Sequence, residues 1–400
     1  MAAVVCAASL VAAFSSGALP GSAMAVTGSG AKQLADGHWS VLARSPLGTR
    51  VNGTVVWAGG QLIEAGGATP GRYGDGVGRA AQTGVAVFDP RTRAWRTIAP
   101  LPNTSLAVNA VPVWTGSTLF LLARPQTPVS TAPARAAVYD PAADSWRSTP
   151  PAPIDAPSLG AAAVWTGGRV VIATIAGDFV HGTALTTAAY DPSSGEWSRI
   201  PLTLPRSHRA GAVEMIATNS GVVLWSLWSR THEYSPGNGT VYSGVDVFRL
   251  EGSRWIRQRT GWPQHQTVDQ PLFTGSRVLL GANQIWCGTC SHPAPIDATG
   301  WTVDPATLRI EALPHGPLDD LQPQIMWTGG AEIALNAAGE ISGPHVRVLP
   351  GDIAFLDPGA MRWYRGPQAP ANIAFGMSAV WDGSHLLALA ADGRLLTYGR

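Results

Sequence analysis

Charged residues and cysteines are both scarce in this 400-residue sequence. Only 13% of the residues are charged and the formal net charge is +1, so the composition gives no indication of a nucleic-acid or anionic-membrane partner. Hydrophobic residues make up 45% of the chain, which excludes a disordered protein and allows a large core. Beyond the N-terminal run there is no second apolar stretch that could cross a membrane. We expect a monomer without a cofactor.

The longest apolar run lies at the N-terminus, from Ala2 to Phe14. It is too short for a stable membrane span and leads to Ala23-Met24-Ala25, which has the A-x-A form of a signal-peptidase site. We therefore predict a signal peptide over residues 1–25, cleavage after Ala25, an extracellular location and a linker over residues 26–37. No Lys or Arg precedes the run, so either the start lies upstream or the signal is a weak one.

Cleavage would remove Cys6 and leave Cys287 and Cys290 as the only cysteines. In an oxidising compartment a pair so close in sequence favours a local disulfide. The segment Trp286–Cys290 is similar to a thioredoxin motif, but reactivity there would need a helix N-terminus. His292 could add a metal ligand, although no fourth ligand is visible. We expect a disulfide and no metal.

A phrase made of an apolar residue, Trp, Thr or Ala, and Gly recurs along the chain. Seven copies, one of them degenerate, lie 51–57 residues apart, with marker positions 57, 114, 165, 216, 273, 327 and 381. After each of the first six copies comes a second phrase, an apolar or aromatic residue followed by Asp-Pro, with Trp six residues after the Asp. The fourth copy has Arg249 at the Asp position, and the fifth has Ile310 at the Trp position. The Asp-Pro turn connects two alternating strands. Each repeat thus predicts four antiparallel strands, a to d.

The seventh repeat lacks strand d, whereas residues 38–43 match a strand d that has no strands a to c before it. This N-terminal strand would complete the sheet of the seventh repeat and remove an exposed edge. Residues 38–400 are therefore predicted to form one all-β domain, a seven-bladed β-propeller of four-stranded antiparallel blades closed by the N-terminal strand. The repeated aromatic residues are expected to pack between blades.

The Gly66-Gly67 doublet, the Asp-Pro turns and the spaced Trp residues resemble kelch repeats, as in the propeller of galactose oxidase-like proteins. The resemblance covers the whole mature chain. Only the first repeat carries the double glycine, so the match is to the superfamily and to no subfamily. Copper oxidases of this group use Tyr and His ligands and a Cys cross-linked to Tyr. The adjacent Cys287 and Cys290 do not match that set.

The connections between strands b and c are long in six repeats and lie on the same face as the d–a linkers. Long loops on a rigid scaffold are the usual place for binding, so we predict the site at the channel mouth on this face. Arg206–Arg209 is the densest polar cluster; it suits a carboxylate or sugar hydroxyls, or else makes blade-to-blade hydrogen bonds in a solvated linker. The candidate ligand-binding residues are Asn103, Asp155, Arg206, His208, Arg209, His265, Asp269, Gln322 and Asn372.

Two functions fit this pattern. The first is a secreted recognition module that binds a glycan or a protein partner through the long-loop face. The alternative is a carbohydrate-active isomerase, lyase or hydrolase, with Arg206, His208 or His265 acting with Asp155 or Asp269. The sequence leaves open whether the protein is an enzyme, because a fold does not establish function.

The disulfide prediction is tested by mass spectrometry of the mature protein without reduction. The peptide that contains Cys287 and Cys290 should be 2 Da (about two hydrogen masses) lighter than its reduced form, and it should resist alkylation. Alkylation of both thiols before reduction would show that the pair is free.

Overall fold

A computed structural model describes residues 30–69, 80–124, 132–178, 182–205, 208–235, 238–262, 269–281, 300–318, 323–336, 340–342, 345–347, 351–374 and 378–400. Seven four-stranded antiparallel sheets contain nearly all of its strands. The fold is an all-β seven-bladed propeller, as predicted. The cysteine pair Cys287 and Cys290 and the candidates Arg206, His265 and Gln322 lie outside the described residues.

The chain begins with helix α1 (Gly30–Ala35) and strand β1 (His38–Arg44). Blade one contains β2 (Thr54–Ala58), β3 (Gln61–Ala65), β4 (Val85–Asp89) and β5 (Ala94–Ile98). A 3-10 turn (Thr104–Leu106) leads to blade two, with β6 (Val111–Trp114), β7 (Leu119–Leu122), β8 (Ala136–Asp140) and β9 (Ser145–Ser148).

Blade three contains β10 (Gly160–Trp165), β11 (Val170–Asp178), β12 (Gly182–Asp191) and β13 (Glu196–Ile200). Blade four contains β14 (Arg209–Thr218), β15 (Gly221–Ser235), β16 (Asn238–Glu251) and β17 (Arg254–Gln258). Blade five contains β18 (Asp269–Phe273), β19 (Val278–Gly281), β20 (Gly300–Val303) and β21 (Ile310–Ala312).

Blade six contains β22 (Gln324–Trp327), β23 (Glu332–Leu335), β26 (Ile353–Asp357) and β27 (Arg362–Arg365), with a side hairpin of β24 (Glu340–Ser342) and β25 (His345–Arg347). Blade seven contains β28 (Ala379–Trp381), β29 (Leu386–Leu389), β30 (Arg394–Gly399) and β1. Contacts divide the chain into two compact units, one containing blades three to five and the other blades one, two, six and seven. Within the described residues, the single α-helix has 6 residues, and no helix is long and apolar enough to cross a membrane.

The predicted closure by the N-terminal strand is confirmed. Strand β1 pairs antiparallel with β30, with His38 opposite Gly399 and Trp39 opposite Tyr398. The Trp39 and Tyr398 rings lie 5.0 Å apart, and the Tyr398 hydroxyl donates to the Leu34 carbonyl at 2.6 Å. The C-terminal blade is thus completed by the first strand of the chain.

The strand-d Trp residues connect successive blades through one repeated contact. The indole Nε1 of Trp146 donates to the Ala99 carbonyl at 2.8 Å, and Nε1 of Trp39 donates to the Pro367 carbonyl at 2.8 Å. In both cases the acceptor follows strand d of the preceding blade. This confirms that repeated aromatic residues pack between blades.

The Asp-Pro turns are built as their sequence predicts. The Oδ1 atoms of Asp89, Asp140 and Asp304 each accept the backbone N–H two residues later, at 2.8–2.9 Å. In blade four, Arg249 replaces this aspartate, and its Nη2 donates to the carbonyls of Pro305 and Ala306 in blade five. The residue that departs from the repeat, Arg249, therefore connects blade four to blade five.

The double glycine of the first repeat is required by a close backbone approach. Gly66 has φ 69°, and a Cβ there would lie 2.3 Å from the Ala107 carbonyl oxygen. The N–H of Gly67 donates to the same carbonyl. No side chain fits between these two backbone segments.

In blades three and four, strands replace the expected b–c loops. β11 and β12 pair as far as Asp178 and Gly182, and β15 and β16 pair as far as Ser235 and Asn238. The expectation of an irregular loop was wrong for these two blades, because the extra residues continue the antiparallel ladder. The β15–β16 extension projects beyond β14, whose last partner on β15 is Ser229.

Glu332 occupies a place that is apolar in other blades. It lies opposite Trp327, as Leu62 lies opposite Trp57 and Leu119 opposite Trp114. The side chain is buried, and its Oε2 has no hydrogen-bond partner among the described residues. Burial raises the pKa of Glu332 from its ordinary value of 4.5 to about 8.

We predict that Glu332→Leu stabilises the protein at high pH. The native state holds the Glu332 proton more tightly than the unfolded state, so wild-type stability falls as pH rises from 4.5 to about 8. Urea unfolding should show the variant roughly 5 kcal/mol more stable at alkaline pH, with the difference shrinking toward pH 4.5. The exposed Glu196→Gln serves as control. A difference that does not depend on pH would contradict the prediction.

Candidate functional site

The described candidates take part in different local contacts. Asn103 accepts a hydrogen bond from Ser105 in its own turn. The exposed Asp155 forms an isolated bridge with Pro133, and the exposed Asn372 accepts the Ala391 N–H through its carbonyl.

Two further candidates lie at the beginnings of strands. Asp269 is the first residue of β18, and the exposed Arg209 is the first residue of β14. Of the nine candidates, His208 is the one whose described contacts form a buried polar cluster. These contacts lie within blade four.

The cluster is organised by a buried carboxylate on β16. Asp246 has a side chain only 1% exposed, and its Oδ2 lies 2.6 Å from Nδ1 of His208, immediately before β14. Its Oδ1 accepts hydrogen bonds from Nε and Nη2 of Arg257 on β17, at 3.0 and 2.6 Å. One carboxylate therefore orients an imidazole and a guanidinium that come from different strands.

Trp228 on β15 fixes the plane of the imidazole. The His208 and Trp228 rings stack with centroids 3.7 Å apart and an angle of 16° between their planes. Trp228 lies opposite Gly244 on β16, where a Cβ would come within 2.9 Å of the indole. The ladder between β14 and β15 is irregular between Ala210 and Ala212, at the position where His208 enters the blade. We call His208, Trp228, Asp246 and Arg257 the blade-four cluster.

Charge balance explains why this arrangement persists. A buried carboxylate without partners is costly, but Asp246 has charge-assisted hydrogen bonds from Arg257, whose side chain is 54% exposed. His208 is 11% exposed, and because its Nδ1 contacts Asp246, Nε2 is the ring nitrogen that Asp246 does not use. Asp246 takes only two of the N–H donors of Arg257. The cluster can therefore bind a ligand with hydrogen-bond acceptors, or orient His208 as a base.

Sequence reasoning identified His208 but missed Trp228, Asp246 and Arg257. One signal was present, since Asp246 interrupts the apolar strand segment Val245–Phe248. A carboxylate in a buried strand needs a partner, and a basic residue on a neighbouring strand is the usual one. Among the described residues, no group of three or more His, Cys, Asp or Glu residues could hold a metal ion.

No protein-family model matches this chain, and no curated protein matches it either. The architecture is that of a seven-bladed β-propeller and is compatible with the kelch-type propeller superfamily. Propellers commonly serve as binding modules.

We predict that Asp246→Asn destabilises the protein by roughly 1–3 kcal/mol, because the change weakens its bonds to both His208 and Arg257. Asp352→Asn is a matched control, since Asp352 pairs with Arg365 at 3.1 Å in a more exposed setting. That control should cost about 0.5 kcal/mol or less. Urea unfolding at pH 7 measures both, and equal effects would contradict an organising role for Asp246.

Proposed function

We propose that this protein is a recognition module whose blade-four cluster binds an acidic glycan through a carboxylate group. One observation carries the proposal: Asp246 holds Arg257 and His208 in fixed orientations while Arg257 remains half exposed. A guanidinium with uncommitted donors matches the geometry of a carboxylate. Uronic acids present that group beside hydroxyls, which Nε2 of His208 can bind.

The cluster is organised before the ligand arrives. Trp228 restricts the His208 ring, and Asp246 restricts both basic side chains, so little side-chain freedom remains to be lost on binding. The cluster also lies where the long β15–β16 hairpin begins to project past β14. A rigid polar cluster beside a projecting hairpin favours recognition of an extended ligand.

We also propose that the module acts outside the cell. The apolar run from Ala2 to Phe14 and the Ala23–Ala25 site support export. An acidic cell-wall or extracellular glycan would then be accessible to the blade-four cluster. A protein partner with exposed carboxylates is the other ligand class that this chemistry would accept.

A carbohydrate-active enzyme is the second candidate function. The 2.6 Å contact between His208 Nδ1 and Asp246 is the arrangement in which a carboxylate orients a histidine as general base. An enzyme of this kind would release a product from the glycan that it binds, and His208→Ala would abolish turnover while Arg257→Ala would mainly weaken binding.

A glycan array tests the proposal with the wild-type protein and the variants His208→Ala and Arg257→Ala. Binding to uronate-containing glycans should fall about tenfold or more in each variant. Arg257→Ala removes the bonds to the carboxylate, and His208→Ala removes both the bond to a neighbouring hydroxyl and a partner of Asp246. Free glucuronate should compete with the wild-type signal.

Arg365→Ala is the matched control, because Arg365 is also on a strand d, is 56% exposed and pairs with an aspartate. Its binding should equal that of the wild type. Unchanged binding in both His208→Ala and Arg257→Ala, or an equal loss in the control, would exclude the blade-four cluster. Binding of the wild type to proteins but to no glycan would show that the ligand is a protein.

A further inference from the structure

A cavity of about 220 Å³ lies where helix α1 meets blades six and seven. It belongs to the compact unit that contains these two blades. Its volume exceeds the roughly 150 Å³ of an apolar cavity that admits benzene, so a molecule with one six-membered ring and a short substituent fits. The lining residues are Gly30, Gln33, Leu34, Thr328, Gly330, Ala331, Trp381 and Arg400. We call this space the α1 cavity.

Elements outside the repeat form two of its walls. The turn over residues 328–331 and Trp381 belong to the repeat, and Trp114 shows the corresponding contact between blades one and two, where a Cβ on Gly59 would lie 3.5 Å from the indole. Between blades six and seven, α1 and Arg400 add walls beside the same kind of turn and indole. The cavity therefore combines segments that are distant in sequence and that meet where the ring closes.

Helix α1 is held in place by several contacts. Ala31 is 1% exposed and packs in the hydrophobic cluster of blades six and seven. The Leu34 carbonyl accepts the Tyr398 hydroxyl at 2.6 Å, and the Gln33 carbonyl accepts Nε of Arg400 at 3.1 Å. A six-residue helix is not stable by itself, so these contacts determine its position. The wall is thus formed before a ligand arrives.

The composition of the lining favours a ring over a molecule with many hydroxyls. Trp381 provides an indole surface, and Leu34 and Ala331 add aliphatic groups. The Thr328 hydroxyl is already used, because it donates to the Ala331 carbonyl at 3.0 Å and accepts the Ala331 N–H at 2.9 Å. An aromatic ring can stack against the indole, whereas sugar hydroxyls on these apolar walls would lose hydrogen bonds to water.

Arg400 determines the polar group of the ligand. It is the charged residue among the described lining residues, and its side chain lies at an exposed position. Nε is taken by the Gln33 carbonyl, which leaves the two terminal nitrogens as donors. Two parallel N–H groups of a guanidinium match the two oxygens of a carboxylate.

We propose that the α1 cavity binds a small aromatic carboxylate, with its ring against Trp381 and its carboxylate on Arg400. The volume, the apolar walls and the single guanidinium carry the proposal together. A neutral ring would lose the charge-assisted bonds to Arg400, and a short aliphatic acid would leave the indole uncovered. The α1 cavity and the blade-four cluster belong to different compact units.

Calorimetry and saturation-transfer NMR on the full mature protein test the proposal. The probes are benzoate, phenylacetate and 3-phenylpropionate, with their amides as neutral isosteres and acetate as the charge without the ring. At least one aromatic carboxylate should bind the wild type. Its amide should bind about fivefold more weakly or worse, and acetate should show no binding at the same concentration.

Two variants separate the contributions of the charge and of the space. Arg400→Gln should weaken the best carboxylate about tenfold and remove its preference over the amide. Leu34→Trp should abolish the binding of both, because the larger side chain fills the α1 cavity. Arg362→Gln is the matched control for the first, since Arg362 also lies near an aromatic ring, 5.3 Å from that of Tyr364. Val41→Trp adds the same bulk at a position that is 51% exposed.

Both controls should bind the probes as the wild type does, and melting curves identify any variant that fails to fold. Arg400→Gln changes an exposed side chain, so it gives a measurement that does not depend on the fold of Leu34→Trp. The absence of binding by the folded wild type to every aromatic carboxylate would overturn the proposal. Equal affinities for acid and amide, or equal losses in Arg400→Gln and Arg362→Gln, would overturn it as well.

The two proposed sites fail separately. Leu34→Trp should leave uronate binding at the blade-four cluster unchanged, and Arg257→Ala should leave the binding of the aromatic carboxylate unchanged. Loss of the aromatic carboxylate in folded Arg257→Ala would assign it to the blade-four cluster and overturn the α1 cavity as its site.

Discussion

The pairing of β1 with β30 is the constraint on which the surrounding structure depends. It joins residues 38–44 to residues 394–399 and gives blade seven its fourth strand. Leu387 and Leu395 of that blade pack in one cluster with Leu62 and Phe88 of blade one. Ser45 follows β1 directly, and its N–H donates to the Gly393 carbonyl. The same junction therefore closes the last sheet and completes a hydrophobic core.

The departures from the repeat are where polar chemistry is concentrated. Arg249 stands at the place of an aspartate, and Glu64 and Glu332 stand at places that are apolar in other blades. Asp246 likewise interrupts an apolar strand. Asp246 and Glu64 have side-chain partners that compensate their burial, and Arg249 donates to two carbonyls of blade five. Among the described residues, Oε2 of Glu332 has no such partner. A repeated scaffold tolerates such residues because the blades share the energy of packing among many similar contacts.

Much of the fold could be predicted, but only part of the site. The seven repeat markers, the Asp-Pro turns and the strand at His38 are local signals, and each corresponds to the expected element. His208 could be selected because polar residues cluster around it in sequence. Its partners could not be selected in the same way, since Asp246 and Arg257 become its neighbours only through the register of β14 to β17. The long b–c segments of blades three and four were also mistaken for loops, because their extra residues continue the strands.

The sequence by itself determined the number of blades, the order of strands, the turn chemistry and the strand that completes the last blade. These properties depend on short-range periodicity and on backbone hydrogen bonds that any suitable residue can make. Only the tertiary structure decided which buried charges meet. His208 and Asp246 are 38 residues apart in sequence, yet Nδ1 of the first lies 2.6 Å from Oδ2 of the second. Such contacts depend on strand register and blade packing, because a buried polar group is stable only where folding brings a partner to it.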